Sequence, residues 1–421
     1  MELRVKPAGI IALLAVIALI CVGVALFSAN AGKEVATEQI MTDNAPAGEV
    51  VLASSKTKKD WLDPQAEIFN KKYAPKATVR IDYAETRDTY QDIINGKAKP
   101  ALWAPSSTQW VGALDDVWKK KNNGKPLYDT SNNAEYKIYI KTPMVILTTK
   151  DKAKFLQDKL GGAGQTFENL RALSSGKMKC PWGAFKYSYA DPINAGSGFM
   201  VVSMFVADYQ QKHLELKTLD DVVHSAGFKN ALKELNTAYV YDEPAFNGSG
   251  DLFKSFITNK TKYDFIITYE SNALKEAAKD PNLAVVYPNP TGTVDMSVIA
   301  LTGANWISTG QKNGARAFMQ QLGEPQAIKA GVETDFRTAF EDSGADLTPQ
   351  LNKLAGQGFR PVFTPVQLPP YAPVNEAASE WRQLTKASPE IAALQATNGT
   401  PGGAKAVSGT TGASPAASVE K

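Results

Sequence analysis

Histidine and cysteine are almost missing: the 421 residues contain two of each. Histidine is the commonest general acid–base and, with cysteine, the usual transition-metal ligand, so catalysis, zinc sites and haem attachment are all poorly supported. Beyond Cys21 only Cys180 remains, which excludes an internal disulfide in the body of the chain. Charge of one sign is also missing. The 46 basic and 43 acidic residues leave a net +3, too balanced for a dedicated nucleic-acid binder. Enzyme signatures are absent as well. Gly196-Ser197-Gly198 lacks the spacing of a nucleophile elbow, and no phosphate loop or H-E-x-x-H is present. His213 and His224 lie on polar stretches without an evident acid partner and read as surface residues. What remains is a globular composition, 43% hydrophobic and 21% charged, with no cofactor implied. It favours binding over catalysis.

Long apolar runs are lacking with one exception. Residues 8–27 are uncharged and apolar, with Arg4 and Lys6 in front. At 1.5 Å rise per residue such a run spans the hydrocarbon core of about 30 Å, and the basic flank keeps the N-terminus cytoplasmic. The run exceeds an ordinary signal core, so segment 1–31 is expected to be an uncleaved anchor with the body exported. Cleavage after Ala29-Asn30-Ala31 is the alternative. Segment 32–48 reads as a linker. At the other end, Pro361, Pro365, Pro369, Pro370 and Pro373 suggest an extended strap, followed by a short helix within 361–386. Segment 387–421, rich in Ala, Gly, Ser, Thr and Pro, is expected to be disordered.

Between these ends, strand-like and helix-like segments alternate. Apolar runs at 50–53, 101–104, 143–149, 263–268, 283–287 and 294–301 are separated by helical periods, clearest in Trp110, Val111, Leu114, Val117 and Trp118. This predicts an α/β fold with largely parallel sheets. Hydroxyls, glycines and amides collect at the strand-to-helix junctions: Ser54-Ser55, Ser106-Ser107-Thr108, residues 194–198, residues 247–250 and Tyr269-Glu270-Ser271. In open α/β sheets ligands bind beyond the carboxyl ends of the strands, where helix N-termini offer free N–H groups. Ser54, Ser55, Ser106, Ser107, Asn194, Ser197, Ser249, Tyr269 and Glu270 are therefore the candidate ligand-binding residues. Any one of these residues is more simply an N-cap; five such junctions argue for a shared site. Asp191, Asp251 and Glu270 would repel an oxyanion unless turned away, though Glu270 could accept hydrogen bonds from a ligand. The Lys56, Lys58 and Lys59 run could steer anions, or be a solvated basic edge.

The segments Leu52-Ala53-Ser54-Ser55, Trp103 to Trp110 (WAPSSTQW) and Lys141-Thr142-Pro143-Met144-Val145 carry a resemblance. So do Trp182 to Lys186 (WGAFK), Asp191-Pro192, Ser197-Gly198-Phe199 and Gly358-Phe359-Arg360-Pro361. From 49 to 363 the chain resembles a bacterial extracellular solute-binding protein of the two-crossover type, the group that includes molybdate-binding proteins. The later segments look more like the membrane-anchored branch that often precedes a von Willebrand factor A domain, whose D-x-S-x-S metal motif is not present here. The resemblance implies two α/β lobes, 49–142 with 294–360 and 143–293, joined by crossing strands at 142–149 and 294–301. It implies that Ser54, Ser55, Ser106 and Ser107 hold an oxyanion, as the corresponding serines do in molybdate binders. The expected function is capture of a small polar or anionic solute by lobe closure, for an ABC-type permease or receptor. A von Willebrand factor A protein is the other expected partner. The rival expectation is an envelope scaffold that keeps the fold without a transported ligand.

Overall fold

The computed structural model describes residues 48–241, 248–340 and 344–387, which form nine strands and fourteen α-helices. The expected anchor at 8–27, most of the linker and nearly all of the expected tail lie outside the described residues. Among the described residues no helix is long and apolar enough to cross a membrane.

The chain opens with a strand–helix alternation: β1 (Gly48–Ser54), α1 (Lys59–Tyr73), β2 (Ala77–Tyr83), α2 (Thr86–Ile94), β3 (Leu102–Ala104) and α3 (Thr108–Lys121). β1 lies between β2 and β3 and runs parallel to both. Val50, Leu52, Val79 and Leu102 are buried between helices on the two faces, as parallel strands require. α1 turns Trp61, Leu62 and Phe69 inward, and the Trp61 indole donates to the Ala327 carbonyl at 2.8 Å.

β4 (Tyr136–Thr149) then runs for 14 residues, and its second half is buried without a break from Thr142 to Thr148. That unbroken burial explains the apolar run Pro143-Met144-Val145-Ile146-Leu147. Next come α4 (Lys150–Leu160), α5 (Thr166–Ser174), β5 (Tyr187–Tyr189), α6 (Gly196–Lys212), α7 (Leu219–His224) and α8 (Ala226–Leu235). They are followed by α9 (Ser249–Thr258), β6 (Phe265–Tyr269), α10 (Glu270–Ala277) and β7 (Leu283–Val286). β8 (Thr293–Ala300), α11 (Thr309–Leu322), α12 (Pro325–Glu333), β9 (Arg337–Thr338), α13 (Thr348–Lys353) and α14 (Tyr371–Ala387) complete the order.

β4 is shared. Its residues 136–143 pair with β8 beside β3, while Met144–Thr148 pair with β6 and Ile146–Thr149 with β7. The strand therefore leaves one sheet and enters the next at Pro143, and the Met144 N–H donates to the Gly292 carbonyl at 2.8 Å, where the chain returns. The path runs β2-β1-β3-β8-β4-β6-β5. It is mixed rather than largely parallel: three pairings are parallel and five antiparallel. Sequence alternation could not separate the two, because a strand that changes sheets also reverses its neighbours.

The proline strap is extended only to Pro370. Pro373 sits in the first turn of α14, where a missing N–H costs nothing because that donor has no intrahelical partner. α14 is longer than the short helix expected and is an integral part of the core. Trp381 is fully buried and donates to Asn236 Oδ1 at 2.6 Å. Tyr371 packs on Trp110 of α3 and stacks on Phe199 of α6, joining the two sides of the molecule.

Candidate functional site

Two turns form one wall. After β1, Ser54 Oγ donates to the Ser55 carbonyl at 3.2 Å, and the Ser55 N–H donates to the Ala104 carbonyl at 3.3 Å, which ties this turn to the end of β3. After β3 the chain passes Pro105 to Ser106 and Ser107. The Ser106 N–H donates to Thr86 Oγ1 at 2.9 Å, so the start of α2 braces the turn. Ser107 occupies the N-cap position of α3, yet its side chain accepts no capping hydrogen bond. The Ser106 and Ser107 hydroxyls are buried and without a partner among the described residues. A buried hydroxyl left unpaired costs about 1–3 kcal/mol, so an N-cap role fails to account for these two positions.

The facing wall is the start of α6. Asp191 accepts from the Ile193 N–H at 2.7 Å and is paired with Arg382, which turns this acid away from the cleft. Asn194 is half-buried in the same turn. At Gly196 an added Cβ would fall on Ser106 Oγ and stand 3.0 Å from the Tyr269 hydroxyl. Glycine is what lets the two walls meet here. Ser197 Oγ donates to Ser249 Oγ at 2.7 Å, and the Ser197 N–H reaches the same oxygen at 3.3 Å. Burial pushes the Tyr269 phenol upward, opposed by its hydrogen bond with Ser249. Ser106, Ser197, Ser249 and Tyr269 thus come together, with Ser54 and Ser55 one turn away.

Glu270 does not join them. Its fully buried carboxylate receives Arg337 through Nη2 and Nε, both at 2.7 Å, and also pairs with the Tyr287 hydroxyl. The bidentate pair and the Tyr287 contact take three of the carboxylate's acceptor positions, which favours a structural role for Glu270 over that of a ligand acceptor. Lys58 also departs from the solvated-edge reading, being fully buried between the exposed Lys56 and Lys59. The histidines have partners, His213 with Glu215 at 3.0 Å and His224 with the Asp220 carbonyl at 2.9 Å. Among the described residues one exposed group, Asp220, His224 and Glu376, has metal-ligand geometry.

Three residues at the site had no clear sequence signal. Thr86 braces Ser106 from a separate helix. Glu85 stands 3.4 Å from where a Cβ on Gly248 would lie, with Asp251 at 2.9 Å, and burial raises its pKa. Lys58 was hidden in a charge run. A separate cavity of about 920 Å³ lies between α3, the crossing strands and the strap, and includes none of the strand-end serines. If Glu270 is structural, Arg337→Ala should cost about 3–5 kcal/mol in urea unfolding, because it strands a buried carboxylate. A loss below about 1 kcal/mol would return Glu270 to the set of available acceptors.

No curated protein sequence matches the chain. Among solved structures, the sulfate-binding protein SubI of Mycobacterium tuberculosis is 15% identical with a TM-score of 0.50, covering 72% of this chain and 91% of its own. The apo ferric ion-binding protein A of Pasteurella haemolytica is 15% identical with a TM-score of 0.51, covering 81% and 96%. The binding protein AfuA of Actinobacillus pleuropneumoniae, solved with fructose-6-phosphate, is 14% identical with a TM-score of 0.50, covering 80% and 97%. At these identities the likeness is one of fold. The family model for bacterial extracellular solute-binding proteins matches residues 50–337, from β1 into β9. The chain belongs to that family, one of extracytoplasmic binding proteins rather than enzymes.

Proposed function

We propose that this protein captures a tetrahedral oxyanion, free or as part of a small polar solute, and delivers it to an ABC-type permease. One observation carries the reading: Ser106 and Ser107 present buried hydroxyls without a partner among the described residues at the N-terminus of α3, with Ser106 against Gly196 at the N-terminus of α6. Two helix N-termini and a group of hydroxyls supply donors and no formal negative charge, which suits an anion. Of the acids near these junctions, Asp191 and Glu270 are tied to Arg382 and Arg337, while Glu85 and Asp251 lie together at Gly248. The relatives in fold include a sulfate binder and a protein holding a sugar phosphate, both with oxyanion chemistry. The scaffold alternative is less favoured, because unpaired buried hydroxyls lower stability and give a pure scaffold nothing in return.

In this reading the segments 49–142 with 294–360, and 143–293, are two lobes that move about β4 and β8. The Arg87 contact to the Ile193 carbonyl at 3.3 Å and the meeting of Ser106 with Gly196 belong to the closed form. Segment 8–27 would hold the body at the outer face of the membrane. Full-length protein should then remain in the membrane pellet after a carbonate wash; a soluble form beginning at Gly32 would replace the anchor with a cleaved signal.

Calorimetry with sulfate, molybdate and phosphate tests the site. Replacing both serines, Ser106→Ala and Ser107→Ala, should weaken binding by about 1–3 kcal/mol per hydroxyl, or roughly 5- to 150-fold each. The apo variant should melt at or slightly above the parent temperature, since among the described residues neither hydroxyl has a partner to lose. A variant that binds as tightly as the parent, or that is strongly destabilised without ligand, contradicts the proposal.

A further inference from the structure

The buried positive charge beside this site is one residue outside the candidate set. Lys58 ends the single 3-10 turn Lys56–Lys58 between β1 and α1, and none of its surface is exposed. Its ammonium donates to Ser55 Oγ at 2.8 Å and to the Pro105 carbonyl at 2.9 Å. These partners are the residue after β1 and the residue before Ser106. The ammonium therefore lies directly behind the two serine turns. Both partners are neutral, and among the described residues no carboxylate pairs with it.

An unpaired buried cation is costly, and proteins retain one mainly where something supplies the missing charge. The nearby charged groups do not supply it. Lys56 and Lys59 are exposed, Asp63 pairs with Lys59 at 2.5 Å, and Asp60 with Lys275 at 3.0 Å. Glu85 caps α2 on the same wall as Lys58, but its carboxylate reaches across to Gly248, where Asp251 of α9 also stands. Tyr269 is neutral there. The contact with Ser55 is also directional. Lys58 occupies a lone pair of Ser55 Oγ, so the serine proton is left to donate to Thr57 Oγ1, 3.3 Å away, or to a ligand.

We infer that Lys58 is the fixed counter-charge of the bound solute and the residue that makes the site select anions over neutral polar molecules. The inference rests on the oxyanion reading above and sharpens it: the solute must carry net negative charge where it meets the Ser55 and Ser106 turns. Lys58 acts through Ser55 and through its field, as a positioning residue.

Burial lowers the Lys58 pKa from 10.5 to about 7, so the empty site becomes neutral as pH rises through about 7. A bound anion restores the proton. Binding should therefore take up a proton above about pH 7, and affinity should fall by up to about tenfold per pH unit there while staying flat below. The stability of the empty protein runs the other way. The unfolded chain keeps this proton up to about 10.5, so the burial cost is full below about pH 7 and fades across that window.

Sulfate and molybdate are suitable probes, because neither changes charge between about pH 6 and about pH 9. Calorimetry in two buffers of different ionisation enthalpy reads the proton count. The parent should take up as much as one proton per anion at about pH 8. Lys58→Met should abolish the uptake, flatten the pH profile and weaken binding at least about tenfold at about pH 6. Its melting temperature should rise relative to the parent, more at about pH 6 than at about pH 9, which verifies that the variant is folded. Glu85→Gln should leave the proton count unchanged. If Lys58→Met binds either anion with the parent's affinity and pH profile, this inference fails and the oxyanion reading stands. If the parent binds neither anion, both fail.

Discussion

Strand β4 belongs to both sheets, and the placement of the site follows from that one constraint. Its first half pairs with β8 beside β3, and its second half with β6 and β7. Because the strand is continuous, the ends of β1 and β3 on one side and of β6 on the other are held at a fixed spacing across the crossing. Ser55 and Ser106, just past β1 and β3, and Tyr269, which ends β6, are then the ones that face across. In the proposed two-lobe reading, closure would centre on this crossing, where two extended segments, β4 at Pro143 and the return at Gly292, pass between the sheets. α14 would limit such a motion, because Tyr371 packs against both Trp110 and Phe199.

The electrostatics of the cleft are built by turning acids away. Asp191 and Glu270 lie at strand-to-helix junctions where a carboxylate would cancel the helix dipoles, and each is paired with an arginine from the C-terminal part of the chain. Arg337 is in β9 and Arg382 in α14, which gives the final third of the protein a role at a site it does not line. At the Ser55, Ser106 and Ser197 turns what stays is neutral and hydrogen-donating, with the Lys58 ammonium behind the first two. Glu85 and Asp251 remain, at Gly248, and mark the side of the cleft where an anion is least welcome.

Much of the layout was legible in the sequence because burial leaves a pattern. The apolar runs at 50–53, 143–149 and 294–301 lie on β1, β4 and β8, and the helical period of Trp110, Val111 and Leu114 lies on α3. The junction serines stood out in the sequence because hydroxyls and glycines gathered at so many strand ends exceed what helix capping alone requires; that they form a binding site is the proposal made above. Pairing direction was not, since alternation is the same for a strand whether its neighbour is parallel or antiparallel. Nor were the arginine partners, which come from 67 and 191 residues away in the chain. Lys58 was the least legible of all. A lysine between two lysines reads as surface, and only the 3-10 turn that follows Ser55 rotates this one inward.

The central claim is that the serine turns after β1 and β3 and the start of α6 enclose an anion. Crystals grown with molybdate, measured above and below the molybdenum absorption edge, locate the metal without assumption. The account predicts one strong anomalous peak between the Ser106 turn and Gly196, its oxygens receiving the Ser106 and Ser107 hydroxyls, which have no partner among the described residues. A peak confined to surface lysines, with those hydroxyls still unpaired, would contradict it.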